Sequence, residues 1–121
     1  GATLGLAYGL KRFRDLGMSP SEIRLTGGGS NSAVWRQLAA DAFGVPVVTL
    51  ATAEGAGLGA AIQAAFTALG GERSYADLCA QLVAVDESSR CTPDDAAKDH
   101  YADQLDRQMK LTRNLAESGH L

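Results

Sequence analysis

Residues 23–50, IRLTGGGSNSAVWRQLAADAFGVPVVTL, change pattern twice, and those changes decide the fold. Ile23 to Thr26 is a short run with β-branched and aliphatic residues, the mark of a strand, and it runs into Gly27-Gly28-Gly29. From Asn31 or Ser32 the spacing turns helical, with Val34, Trp35, Leu38, Ala42 and Phe43 as the expected buried face. Gly44 ends that helix and Pro46 prevents its continuation. Val45 to Leu50 is then continuously β-branched and aliphatic, as in a strand covered on both faces. Strand, helix and strand in this order imply two parallel strands joined by a right-handed crossover, hence an α/β fold. Two strands make a poor sheet alone, so further strands are expected from outside this sequence.

Upstream, Leu6, Leu10, Phe13 and Leu16 recur at helical spacing, and Gly17 followed by Ser19-Pro20 closes that helix. Lys11, Arg12 and Arg14 fall near its end, where cations complement the helix dipole. Nothing in Gly1 to Gly5 caps its start, so the helix reads as entered partway. Downstream, Thr52 is the expected cap of a third helix carrying Leu58, Ile62, Ala65 and Leu69, stopped by Gly70-Gly71. Its other flank, Gly57, Ala60, Ala61 and Ala64, is small enough for close approach to a sheet or another helix. Ser74 and Asp77 form a capping-box pattern for a short helix through Leu82. Val83 to Val85 reads as an edge strand or an extended connection. Thr92-Pro93-Asp94-Asp95 supplies a cap, a Pro at the first helical position and acids in the first turn. The helix it opens should reach about Leu115, with Ala97, Tyr101, Leu105, Thr112 and Leu115 on one side.

The chain has 121 residues, room for one domain. Hydrophobic residues at 45% and charged residues at 21% exclude a disordered tail. A net charge of -3 speaks against nucleic acid, which needs clustered Lys and Arg. No apolar stretch approaches the ~18 residues of a membrane span, and no signal peptide opens the chain. Cys79 and Cys91 lie too far apart for a CxxC pair, and neither has a His at zinc-ligand spacing. A cytoplasmic setting fits these observations.

The chemistry-bearing segment is Thr26 to Ser32, between a strand and a helix. Successive glycines let backbone approach a ligand closely, and the following helix start offers unpaired N–H groups and partial positive charge, both suited to phosphate. Ser30, Asn31 and Ser32 add short polar side chains that cap the helix or touch a ligand. A tight turn without any ligand explains the same glycines. The segment is neither a P-loop, lacking the Lys-Ser or Lys-Thr, nor a dinucleotide fingerprint, lacking the third glycine. Gly55-Ala56-Gly57-Leu58-Gly59 falls at a helix start and reads as packing.

The run LTGGGSNSAVWRQLAADAFGVPVVTL followed by EGAGLGAAIQAA resembles the C-terminal domain of the FGGY carbohydrate kinases. The triple-glycine loop with its polar cap, the tryptophan helix closing on AFGVPV and the EGAGLGAA helix match in order and separation. The likeness extends back through GLKRFRDLGMSPSEIR and loosely forward to the last helix, and it is greatest to the xylulokinase branch. It implies residues 1–121 as part of the C-terminal domain of a two-domain sugar kinase with an actin-like (RNase H-type) fold. ATP and Mg²⁺ would be required, and the acceptor would be a sugar or polyol in the complete enzyme. Homodimers are common in the family. The family's adenosine loop falls on Gly27, Gly28 and Gly29. The position near adenine falls on Ser32, with Asn31 just before it. The catalytic aspartate and the magnesium ligands of the family lie upstream of this sequence. A non-catalytic nucleotide-binding module and an interaction domain with a ligand-free turn are the readings from other classes.

Asp41, Asp86 and Glu87 lie outside the family's catalytic motif and read as surface or helix-packing carboxylates. His100 and His120 read as solvated. Trp35 reads as core, or as a wall of the nucleotide cleft.

Overall fold

The computed structural model describes residues 1–120. The strand expected at Ile23 forms as β1 (Ile23–Leu25), and the glycines lead through a 3₁₀ turn (Gly28–Asn31) into α2 (Ala33–Phe43). Before them lies α1 (Ala2–Asp15), and after them β2 (Val47–Leu50), α3 (Gly55–Ala68), α4 (Tyr75–Leu82), β3 (Val85–Cys91) and α5 (Asp95–Glu117). β1 and β2 pair in parallel, with Ile23 opposite Val47 and Leu25 opposite Thr49. β3 adds antiparallel on the far side of β2, giving the order β1-β2-β3. The α/β class and the parallel crossover stand as expected.

α1, α2 and α5 pack on one another, and α2 packs on β2. Ala7, Leu10, Ala39, Ala40, Phe43 and Val47 form the core between these helices and the sheet. Val47 and Val48 are both fully buried. Successive strand residues point to opposite faces, so this pair matches the doubly covered strand expected there. α3 and α4 pack together beside this body, with Phe66 stacked on Tyr75 at a centroid separation of 4.0 Å.

Several expected burials do not occur. The buried residues of α2 are Ala39, Ala40, Asp41 and Phe43, Trp35, Leu38 and Ala42 are half-buried, and Val34 lies off that side at 79% exposure. Of the α1 stripe only Leu10 is buried, joined by Ala7. Leu6, Phe13 and Leu16 are exposed because no element covers that side of the helix. Gly57, Ala60, Ala61 and Ala64 are likewise exposed, so the small flank of α3 packs against neither sheet nor helix among the described residues. On α5, Ala97, Tyr101, Leu105 and Leu115 are half-buried and Thr112 is exposed.

Two caps shift. Glu54, not Thr52, occupies the N-cap of α3, with no side-chain bond. Asp94, not Thr92, caps α5 by accepting from the Ala97 N–H, which places Pro93 outside the helix. The Ser74–Asp77 capping box forms as read. The edge strand begins at Val85 rather than Val83 and continues through the polar residues to Cys91. It bulges opposite Val47–Thr49, where the Thr49 N–H donates to Ser89 Oγ (2.8 Å), which itself donates to the Asp86 carbonyl (2.6 Å).

Candidate functional site

The turn after β1 stands at the carboxyl end of two parallel strands, the usual ligand side of such sheets. Gly27 has φ 87° and ψ 179°, a backbone region that only glycine enters freely. Its carbonyl accepts from both the N–H (3.0 Å) and the hydroxyl (2.7 Å) of Ser30, which is buried. Ser32 N–H donates to the Gly29 carbonyl, and Ser32 Oγ accepts from the Trp35 N–H (3.3 Å), capping α2. The hydroxyl of Ser32 keeps its own donor, and Asn31 is exposed.

The three glycines have different reasons to be there. A side chain on Gly29 would come within 3.1 Å of the Trp35 ring. Gly27 is fixed by its dihedrals. Gly28 lies within the 3₁₀ turn, is exposed, and a methyl group there would meet nothing within 4 Å. The fold itself gives no reason for glycine at position 28.

Beside the turn, a polar cavity of about 330 Å³ is lined by Thr26, Asn31, Arg36, Thr49, Asp86 and Ser88 among others. Arg36 Nη1 donates to the Ser30 carbonyl (2.8 Å), and its buried Nε has no partner. Asp86 accepts from the N–H and the hydroxyl of Ser88 (3.0 and 2.6 Å). The start of α3 closes in from the other side: a Cβ on Gly55 would lie 2.7 Å from Thr26 Oγ1. That is the packing role expected of the EGAGLGAA segment, at its first glycine.

Gly27, Gly28, Gly29, Asn31 and Ser32 thus share one turn, and of these Asn31 reaches the cavity wall. Sequence reading included Thr26 in the chemistry-bearing segment, missed Arg36 and Thr49, and took Asp86 for a surface or helix-packing carboxylate. Arg36 had a weak signal, a cation one position past Trp35 in the first turn of α2. Thr49 and Asp86 had none, because only the β2–β3 pairing brings them together. Asp41 is buried and joins helices, accepting from the Asp94 N–H (2.9 Å) and from Gln37 (2.8 Å). Glu87 pairs with Arg90 on the surface. His100 and His120 are exposed, and Trp35 is half-buried with its ring against Gly29. Cys79 and Cys91 are free thiols. Among the described residues no three His, Cys, Asp or Glu side chains gather as metal ligands, and no helix is long and apolar enough to cross a membrane.

Residues 1–68, from α1 through α3, match the family model described as the FGGY family of carbohydrate kinases, C-terminal domain. The chain belongs to that family. A xylulose kinase of Haemophilus influenzae is 40% identical over 108 residues, 89% of this chain and 22% of that protein. The crystal structure of xylulose kinase from Rhodospirillum rubrum superposes with a TM-score of 0.75 at 29% identity, covering 99% of this chain and 24% of that one. A gluconate kinase structure from Lactobacillus acidophilus gives 0.68 at 28% identity, over 82% of this chain and 19% of that one. This FGGY chain therefore spans about a fifth to a quarter of the length of the relatives it matches, and it carries the α/β architecture of part of their C-terminal domain.

Proposed function

We propose that this chain is the adenosine-binding part of an ATP-dependent carbohydrate kinase, with D-xylulose as the acceptor. The observation that carries the nucleotide reading is Gly28. Position 28 opens the short 3₁₀ turn that leads into α2, with its backbone exposed, and the chain's own packing gives no need for a bare backbone there. Close approach by a solute supplies that need. Gly27, Gly28 and Gly29 present the backbone, and Asn31 is the side chain favoured for adenine because it lines the cavity, which Ser32 does not.

The open amides and the exposed turn fit an adenine nucleotide. In the whole kinase the γ-phosphoryl group of MgATP would pass to a sugar hydroxyl, with an aspartate accepting the hydroxyl proton. Magnesium and that aspartate are not assigned to residues of this chain, whose part is to hold the nucleotide and to shield it from water. The xylulose assignment rests on the relative at 40% identity. The near-equal likeness to a gluconate kinase indicates that this part of the fold does not select the sugar.

Calorimetric titration with ATP tests the reading. The chain should bind ATP and release no ADP in a sugar-dependent way. Gly28→Ala should melt at the wild-type temperature and bind ATP about tenfold more weakly, as expected when a Cβ blocks close approach. Unchanged ATP affinity in a folded Gly28→Ala chain would leave the glycine as a plain turn residue and end the proposal.

A further inference from the structure

We infer that Arg36 is a positioning residue: its guanidinium, reaching back from α2, sets the shape of the turn that follows β1. The functional weight of that shape rests on the nucleotide reading above, but the geometry does not.

Arg36 is half-buried on α2, at the wall of the polar cavity. Part of its guanidinium is taken out of water there, and that part is incompletely satisfied. Nη1 donates to the Ser30 carbonyl at 2.8 Å, while Nε is buried with no acceptor. A buried donor left unpaired lowers stability, and apolar replacements of the same shape are often neutral or better. Stability alone does not account for Arg36.

The bond it makes does. Ser30, whose carbonyl Arg36 holds, ties back to the Gly27 carbonyl through both its N–H and its hydroxyl. Gly27 is the residue whose dihedrals set the direction of the turn. A short relay of hydrogen bonds thus runs from the α2 side chain through Ser30 to Gly27, and between those anchors lie the amides of Gly28 and Gly29. Trp35, against Gly29, supports the same segment from the neighbouring helix position. Arg36 acts on the turn from behind, through Ser30, and needs no contact with the ligand.

The consequence is a pair of effects of opposite sign. Arg36→Met removes the unpaired donor and frees the turn at once. This variant should melt at or above the wild-type temperature, yet bind ATP about tenfold more weakly, the size of one hydrogen bond from a charged donor. The ¹⁵N–¹H resonances of Gly27 to Ser32 should shift or broaden, a change readable without nucleotide. Arg36→Lys, which keeps one donor in reach of the Ser30 carbonyl, should restore part of the affinity and sharpen those resonances.

Wild-type turn resonances in Arg36→Met would overturn the inference, whatever the ATP affinity. Should that variant fail to fold, Arg36→Leu and Arg36→Ala take its place, and wild-type turn resonances in whichever folds would overturn the inference as well. A wild-type chain that binds no ATP, with the turn still disturbed by Arg36→Met, would refute the nucleotide reading and leave the positioning role standing.

Discussion

Gly27, Gly28 and Gly29 are indistinguishable letters in three different settings: a dihedral that favours glycine, an open position and an aromatic neighbour. That the chain turns sharply here was legible in the sequence, since three glycines lie between a strand and a helix. Their separate roles were not, because φ and the placement of Trp35 depend on the folded turn. Charge behaves similarly. Arg90 joins Glu22 (2.7 Å) and Glu87 (2.6 Å), which are far apart in sequence. Arg90, with Arg24 second, holds the Glu22 carboxyl below its ordinary range, and Arg90 does the same to Glu87. A carboxyl whose folded pKa is depressed stabilises the fold above its ordinary pKa, and that contribution is lost as the pH falls through the folded value. The melting temperatures of wild type and Arg90→Gln should therefore differ most near neutrality and converge as the pH falls below the depressed values of Glu22 and Glu87. Because these groups are partly exposed, the gap should also narrow in high salt. A gap that widens on acidification would contradict this assignment.

At the scale of elements, β1, β2 and α2 announce themselves through hydrophobic period and glycine or proline stops. β3 does not. Val85-Asp86-Glu87-Ser88-Ser89-Arg90-Cys91 lacks the alternation of a half-buried strand, and its pairing with β2 is interrupted. What makes it a strand is Ser89, whose hydroxyl takes the place of a ladder carbonyl for Thr49. Ser89→Ala should leave the Thr49 N–H without its acceptor and cost about 1–3 kcal/mol, read by denaturant unfolding. A loss below a few tenths of a kcal/mol would mean that the bulge is held by other bonds. The displaced cap of α5 has a related cause. Thr92 is the residue whose carbonyl accepts from Gln37, while Asp94 N–H binds Asp41, so the contact with α2 decides where the helix begins. Local propensity pointed to Thr92, and a tertiary bond set the start two residues later.

For the whole molecule, class and crossover were legible, and the extent of the core was not. Leu6, Phe13 and Leu16 of the expected α1 stripe and the small flank of α3 turn out bare, because periodicity reports which face is apolar and says nothing of what covers it. The largest consequence is a groove of about 790 Å³ between α1 and β1, lined by Leu6, Phe13, Met18, Pro20, Ile23 and Phe43 among others. Apolar surface of this continuity binds hydrophobic dyes. Anilinonaphthalene sulfonate fluorescence should be strong with the native chain. It should fall in a Leu6→Lys, Phe13→Lys variant without loss of melting temperature, since both residues are already more than half exposed. Weak fluorescence from the wild type would show the groove to be closed in solution.

α5 is 23 residues long, about 35 Å of helix, and contains no fully buried residue. Asp41 grips its start through the Asp94 amide, and Tyr101, Leu105 and Leu115 rest half-buried farther along, with α1 and α2 as the neighbours. The rod is thus seated like a beam along a wall, so cutting the Asp41 tether should fray its first turn and leave the remainder in place.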